Sequence, residues 1–440
     1  MALTFVGGVY VNENKNARKS PIEPFPPPKI IKLPLLQHIG TPAVSIVQVG
    51  DIVAKGQMIA VADSELSCHV HSSVSGIVTD ISNGIITIEN DYNDTFHSSI
   101  RPFEKKITET STDEIIDVIK QAGIAECDMA KSMPYPLYAK LQAAVGKVGT
   151  LIINGAESEP YMCSVHRLML EQPDYVINGA KILLKALGLK KCIIAVEDNK
   201  LDAVNTLNTA AKKSKLIEVK TVRTKYPQSD ERCLIYALTG KQIPFDKSSI
   251  EREYAVVGVE SVVEICRTFA EGMPSVDRII TVDGNCGAKA RNLRVPLGTP
   301  ISDIFAYCEL KKQPSKIVIG GAMTGMELIL DNINAPITKG MSALLAFSSN
   351  LRRKNEQDSP CIRCGRCAES CPMRLQPLYL SMFAQKEDIE SCKEYDALSC
   401  IECGCCEYIC PANIEIIRHI KNAKEHIHSH SQKDIEVTKI

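Results

Sequence analysis

The chain has 440 residues, of which 45% are apolar and 23% charged, so it can bury several cores and is neither disordered nor fibrous. Its net charge of −1 offers no overall basic surface for nucleic acid or an anionic membrane. No run approaches the ~18 apolar residues needed to span a bilayer, and the first ten residues lack a basic region followed by a long apolar core. A cytoplasmic protein is expected, with about three or four domains at ~150 residues each.

Residues 1–34 read as a loop-like arm, stiffened by Pro24-Phe25-Pro26-Pro27-Pro28 and suited to lie on another surface. Residues 35–105 read as short strands with regular turns, among them 46–49, 77–81 and 85–88. The phrase Val49-Gly50-Asp51-Ile52-Val53-Ala54-Lys55-Gly56-Gln57, followed by Ser75-Gly76-Ile77-Val78, resembles the biotinyl and lipoyl barrel-sandwich. Carrier domains of that type present a lysine on the intervening hairpin. Residues 57–75 contain none, so a structural module without a covalent cofactor is expected.

Residues 110–272 alternate helix and strand, opening on the capping box Ser111-x-x-Glu114. Strands at 150–153, 192–196 and 216–222, with helices from about Asp174 to Gly188 and from Leu201 to Ala211, predict a parallel sheet covered on both faces. Ligands of such sheets sit at the carboxyl ends of strands. The acidic loop Asn154-Gly155-Ala156-Glu157-Ser158-Glu159-Pro160-Tyr161 follows one of them and is the best small-molecule candidate. Residues 275–345 predict a small mixed module with strands at 278–282 and 316–319, a helix at 301–307 and a glycine turn at Gly320-Gly321. Residues 349–359 are polar and charged and mark a linker into a domain at 350–426. A last helix is expected from Ile414 to His426, fading into a polar tail at 427–440, and the alternating His426, His428 and His430 at this junction read as solvated rather than metal-binding.

The domain at 350–426 holds the strongest signal: Cys361-x2-Cys364-x2-Cys367-x3-Cys371-Pro372, repeated as Cys400-x2-Cys403-x2-Cys406-x3-Cys410-Pro411. Two-residue gaps wrap the chain around a cubane of iron and sulfide, and a zinc site does not need the third step. In such runs the fourth cysteine ligates the other cluster. The expected ligands are therefore Cys361, Cys364, Cys367 and Cys410 for one 4Fe-4S cluster, and Cys400, Cys403, Cys406 and Cys371 for the second. Ile362, Ile401 and Ile409 are expected to shield the sulfides, with Arg363 and Arg366 placing positive charge nearby. The other cysteines are scattered through apolar stretches, as reduced thiols are. Cys405, beside a ligand but out of register, reads as packing.

These parts together are similar to the RnfC family, a component of the Rnf complex, which is a membrane-bound NADH:ferredoxin oxidoreductase. The resemblance rests on Gly7-Gly8, Pro21-Ile22-Glu23-Pro24, Leu35-Leu36-Gln37-His38-Ile39-Gly40, His71-Ser72-Ser73-Val74-Ser75-Gly76, Ile153-Asn154-Gly155-Ala156-Glu157, Glu159-Pro160-Tyr161, Thr224-Lys225-Tyr226-Pro227-Gln228 and Ile337-Thr338-Lys339-Gly340. It implies a multidomain α/β and α+β architecture: barrel-sandwich, an α/β domain like the flavin subunit of respiratory complex I, a β-grasp module, and a two-cluster ferredoxin domain. It also implies redox subunits of a membrane complex as partners, a ferredoxin-type donor or acceptor, and peripheral attachment to the cytoplasmic face of the membrane. Asn154, Glu157 and Glu159 would line an FMN and NADH pocket, the amide bonding the flavin edge and the carboxylates accepting from ribose hydroxyls. On their own, the same residues read equally well as a tight turn with glutamates that are solvated or paired with Arg167.

One stretch departs from the family. Its members carry a loop of the form Gly-x-Gly-Gly-Ala-Gly-Phe-Pro-Thr, where backbone N–H groups approach a phosphate. Here Ala125-Glu126-Cys127-Asp128-Met129-Ala130-Lys131-Ser132-Met133-Pro134 contains no glycine, and Ser229-Asp230 stands where glycines are usual. An altered or lost flavin and NADH site is expected. The competing expectation is a dedicated electron-transfer protein that serves a soluble reductase, such as a proline reductase, without dehydrogenase activity. A cobalamin-reductase-like protein ranks last, because that family too should keep the loop.

Overall fold

The computed structural model describes residues 3–126, 133–287, 289–348 and 360–437, with side chains through Ser429. The expected linker at 349–359, and with it Cys127, Asp128 and Lys131, lie outside the described residues.

The N-terminal sandwich is made of a four-stranded antiparallel sheet and a three-stranded one. The first runs Ile30–Pro34, Ile85–Asn90, Gly76–Ser82, Ile52–Val53, and the second Val44–Ser45, Met58–Val61, Val70–His71. Alternate residues Ile31, Leu33, Ile86 and Ile88 point inward, which is the period-two pattern of a half-buried strand. The strand expected at 46–49 does not form: pairing stops just before it, at Val44–Ser45, and Ile46 and Val49 are exposed.

The arm differs most from expectation. Ile30–Pro34 belongs to the sandwich, and Ile22–Pro24 pairs in parallel with Arg291–Pro296 at the edge of a sheet 270 positions away in register, Ile22 opposite Asn292. Pro24 is tolerated there because an edge strand leaves one N–H side unpaired. Upstream, Leu3 bridges Val222 and Val9 bridges Tyr226.

The α/β domain contains a parallel sheet in the order Ile217–Val222, Cys192–Glu197, Thr150–Gly155, Tyr254–Gly258. Leu151 and Ile153 face one helical layer and Ile152 the other, so both faces are covered. Ser111 caps the helix Thr112–Gln121 by accepting from the Glu114 N–H at 3.2 Å. The helix Leu201–Ala211 has its expected bounds, and Pro173–Ala186 ends before Gly188, whose φ of 66° favours glycine. Strand order reverses between Thr150–Gly155 and Tyr254–Gly258, which places the sheet's crevice there.

A six-stranded mixed sheet follows, in the order Ile22–Pro24, Arg291–Pro296, Asp277–Gly284, Ala343–Phe347, Lys316–Ile319, Met326–Leu328. Its apolar face joins the sandwich in one continuous core, with Ile280, Leu293 and Leu344 alongside Ile31, Val78 and Ile88. The C-terminal domain is helical, and its last helix spans Ile416–Val437. The expected polar tail at 427–440 is thus helical as far as Val437, continuing past His426 on the same apolar spacing of Ile416, Ile420, Ala423 and Ile427. Among the described residues no helix is long and apolar enough to cross a membrane.

Candidate electron-transfer site

The two cysteine runs fold into two copies of one backbone shape. Left-handed residues recur at Arg363 and Glu402, at Gly365 and Gly404, and at Arg374 and Asn413, all with φ between 53° and 78°. A side chain in that region is disfavoured by roughly 1 kcal/mol, so four non-glycine instances at matched positions mark a conformation that the loop requires. In each loop an N–H two residues on points at the first sulfur, Arg363 to Cys361 Sγ and Glu402 to Cys400 Sγ, both at 3.4 Å. Leu375 N–H likewise donates to Cys371 Sγ at 3.4 Å. Such donors stabilise sulfur that carries negative charge.

The thiols group across the repeat. The Cys406 thiol is pushed up by burial and then by Cys403, Cys400 and Cys371. Burial, Cys403 and Cys371 push Cys400 up to about 12, against the opposing Glu402 N–H and Lys424. Cys371, the last residue of the first run, thus lies in the field of the second run's three thiols, and Cys410 in turn acts on Cys367. Among the described residues no three His, Cys, Asp or Glu side chains close on a single-ion position. Ligands of a cluster stand around several metal atoms and are spread accordingly. The donor set, the repeated loop and the crossed grouping fit two 4Fe-4S clusters, which when bound exchange one electron each.

The two loops differ in their surroundings. Cys361 and Cys364 are exposed, whereas Cys403 and Cys406 are buried. Ile362 is 66% exposed and does not shield the first loop as expected, because no element among the described residues packs over it. Ile401 and Ile409 do pack, in a small apolar core with Val9, Tyr226, Cys403, Cys405 and Met323. The Tyr226 hydroxyl donates to the Cys403 carbonyl at 2.7 Å, and Gly8 N–H donates to the Ser370 carbonyl at 2.7 Å. Sequence reasoning gave Tyr226 and Gly8 no role at the clusters, and the phrases containing them were the available signal.

Beside the second loop lies a cavity of about 1090 Å³, walled by the α/β domain, residues 324–326 and residues 398–402, including Cys400. Most of its charged side chains are already paired. Lys140 meets Glu231 at 3.1 Å, Lys424 pairs with Glu402, and the Arg232 guanidinium donates to the carbonyls of Ile243 and Pro244 at 3.0 and 2.8 Å. Asp230 caps the helix Glu231–Thr239, accepting from the Arg232 and Cys233 N–H groups at 3.0 Å. Glu126 also lines the cavity, is 5% exposed, and accepts from Gly258 N–H at 2.7 Å. Burial raises its pKa, with Lys140 the largest opposing influence.

The cavity is large enough for a flavin mononucleotide. None of Asn154, Glu157 and Glu159 lines it. Asn154 spans to the Ser229 carbonyl at 2.8 Å and accepts from Ala156 N–H at 3.1 Å. Glu157 is buried, accepts from Val165 N–H at 2.9 Å, and lies 4.0 Å from Lys15 of the arm. Glu159 is buried too, accepting from Met323 N–H at 2.9 Å and from the Thr324 N–H and hydroxyl at 3.1 and 2.6 Å. Neither glutamate is solvated, and Arg167 pairs with Glu171 instead. Their carboxylates satisfy donors inside the protein, which follows from burial: an unpaired buried charge is costly. Glu159 fills the space beside Gly321, where a Cβ would stand 2.2 Å from its carboxyl carbon.

Known families match along the chain. Residues 3–96 match the RnfC Barrel sandwich hybrid domain, residues 119–267 the Nuo51 FMN-binding domain, and residues 360–414 the 4Fe-4S dicluster domain. A subunit of the proton-translocating ferredoxin:NAD(+) oxidoreductase complex of Clostridium ljungdahlii is 37% identical, over 96% of this chain and 94% of that protein. A subunit of the Na(+)-translocating ferredoxin:NAD(+) oxidoreductase complex of Acetobacterium woodii is 33% identical, over 98% of both. A chain of an NAD+-reducing [NiFe]-hydrogenase shares the fold, with a TM-score of 0.50 and 14% identity over 76% of this chain and 64% of that one. With barrel-sandwich, flavin-subunit-like α/β domain and paired cysteine loops in one chain, and relatives matched nearly end to end, this protein belongs to the RnfC family of ion-translocating ferredoxin:NAD(+) oxidoreductase complexes.

Proposed function

We propose that this chain carries electrons within an Rnf-type ferredoxin:NAD(+) oxidoreductase complex, through two 4Fe-4S clusters. The first would be held by Cys361, Cys364, Cys367 and Cys410, the second by Cys400, Cys403, Cys406 and Cys371. The observation that carries this reading is the repeated loop whose last cysteine, Cys371, stands among the thiols of the other copy. The second cluster would face the interior cavity and the first the protein surface, so electrons would pass between an inner site and an outer redox partner. Arg363 and Arg366 are exposed beside the first loop and suit an acidic docking partner such as a ferredoxin-type protein. Peripheral attachment to the membrane subunits of such a complex is part of the same proposal.

Anaerobic purification with iron, acid-labile sulfide and flavin counts, followed by titration with dithionite and NADH, tests it. About eight irons per chain and two one-electron reductions by dithionite are expected. Fewer than about four irons after anaerobic reconstitution would end the reading. A second reading, an electron relay to a soluble reductase without dehydrogenase activity, is favoured by the Glu126 carboxylate at the wall of the flavin-sized cavity. Clusters that reduce with dithionite but not NADH would select it.

A further inference from the structure

The helix Val259–Glu271 starts directly from the strand Tyr254–Gly258, with Gly258 as its N-cap, at the crevice where strand order reverses. A helix N-terminus in such a crevice is where α/β folds hold a ligand phosphate, since unpaired N–H groups and the helix dipole converge there. In this chain the position is already occupied by an acidic side chain. Gly258 N–H donates to Glu126 Oε1 at 2.7 Å. The φ of −69° and ψ of 150° at Gly258 are open to any residue, so the glycine is not needed for backbone shape. What its missing Cβ leaves is room: a Cβ there would stand 3.2 Å from Glu126 Oε1, and among the described residues, chain neighbours aside, only Glu126 has atoms within 4 Å.

A second carboxylate crowds the same helix end. Glu260 sits in the first turn, 2.6 Å from Arg278, and the Glu126 charge is among those acting on it. The cations nearby are committed, Arg278 to Glu260 and Lys140 to Glu231. A phosphate dianion entering here would have to displace the Glu126 carboxyl group from the Gly258 N–H, beside the second buried acid Glu260 and without added countercharge.

We propose that Glu126 is a built-in acidic side chain occupying the phosphate position of the FMN-binding-type domain, so that this chain does not retain FMN through its phosphate. The inference rests on the relay reading above and gives it a structural cause. The test uses the full chain purified anaerobically as wild type, Glu126→Gln and Glu126→Ala, with iron and sulfide counted in each. FMN and, separately, riboflavin are titrated by quenching of flavin fluorescence. Wild type is expected to carry no flavin and to bind FMN no more tightly than riboflavin. Both variants should tighten FMN binding about tenfold or more and leave riboflavin unchanged, about 1.4 kcal/mol or more assigned to the phosphate alone. Wild type holding stoichiometric FMN overturns the proposal, as do variants whose FMN affinity equals that of wild type. Flavin with a full iron count would end this inference and leave electron transfer through the clusters standing. Missing iron would end the latter while the titration still decides the role of Glu126.

Discussion

At the scale of single residues, the crossed ligand pattern makes opposite predictions for two similar cysteines. Cys371→Ser should abolish the signal of the second cluster, the one lost in Cys400→Ser, and reduce iron by about half. Cys410→Ser should instead match Cys361→Ser. Electron paramagnetic resonance of the dithionite-reduced variants checks this, and a Cys371→Ser spectrum equal to that of Cys361→Ser would refute the crossing. The cysteine runs were readable from sequence because each loop is local: its spacing accompanies one repeated backbone shape. Ile362 was misjudged as a shield because exposure depends on what packs over a residue, and among the described residues nothing covers that side chain. Glu157 and Glu159 stood out as acidic, but their partners Lys15, Met323 and Thr324 lie 142 to 165 positions away.

At the scale of elements, the N-terminus of the helix Val259–Glu271 makes stability depend on pH. Burial raises the Glu260 carboxyl from 4.5 to about 7, Arg278 only partly opposing it. The folded state therefore favours the protonated form, and this contribution is complete below pH 4.5 and lost as pH rises through about 7. Glu260→Gln, neutral throughout, should gain stability relative to wild type across that window, by on the order of 3 kcal/mol at most. Anaerobic urea unfolding followed by far-ultraviolet circular dichroism at pH 5 and pH 7.5 measures it. An unchanged difference at the two values would sink the assignment. Helices with clear apolar spacing, such as Leu201–Ala211 and the Ser111-capped Thr112–Gln121, were predictable because their hydrogen bonds are internal. Ile22–Pro24 was not, since a three-residue strand exists only because Asn292 to Arg294 present an open edge.

At the scale of the whole molecule, the arm ties the cluster domain to the rest. Gly7 has a φ of 73°, and a Cβ there would stand 2.5 Å from the carbonyl oxygen of Cys371. Gly7→Ala should loosen this contact, so that on exposure to air the second cluster bleaches several-fold faster near 400 nm while the first is little changed. Equal bleaching of wild type and variant would show that the arm does not protect the cluster. Sequence determined the order of the modules, the alternation of strand and helix, and the repeated cysteine runs, because each is written in residue spacing over a few turns of chain. Tertiary structure alone decided that sandwich and mixed sheet share a core, that Tyr226 and the arm close over the second cluster loop, and that Glu126 meets Gly258. Those contacts join residues far apart in the chain, and packing, rather than local spacing, sets which of them meet.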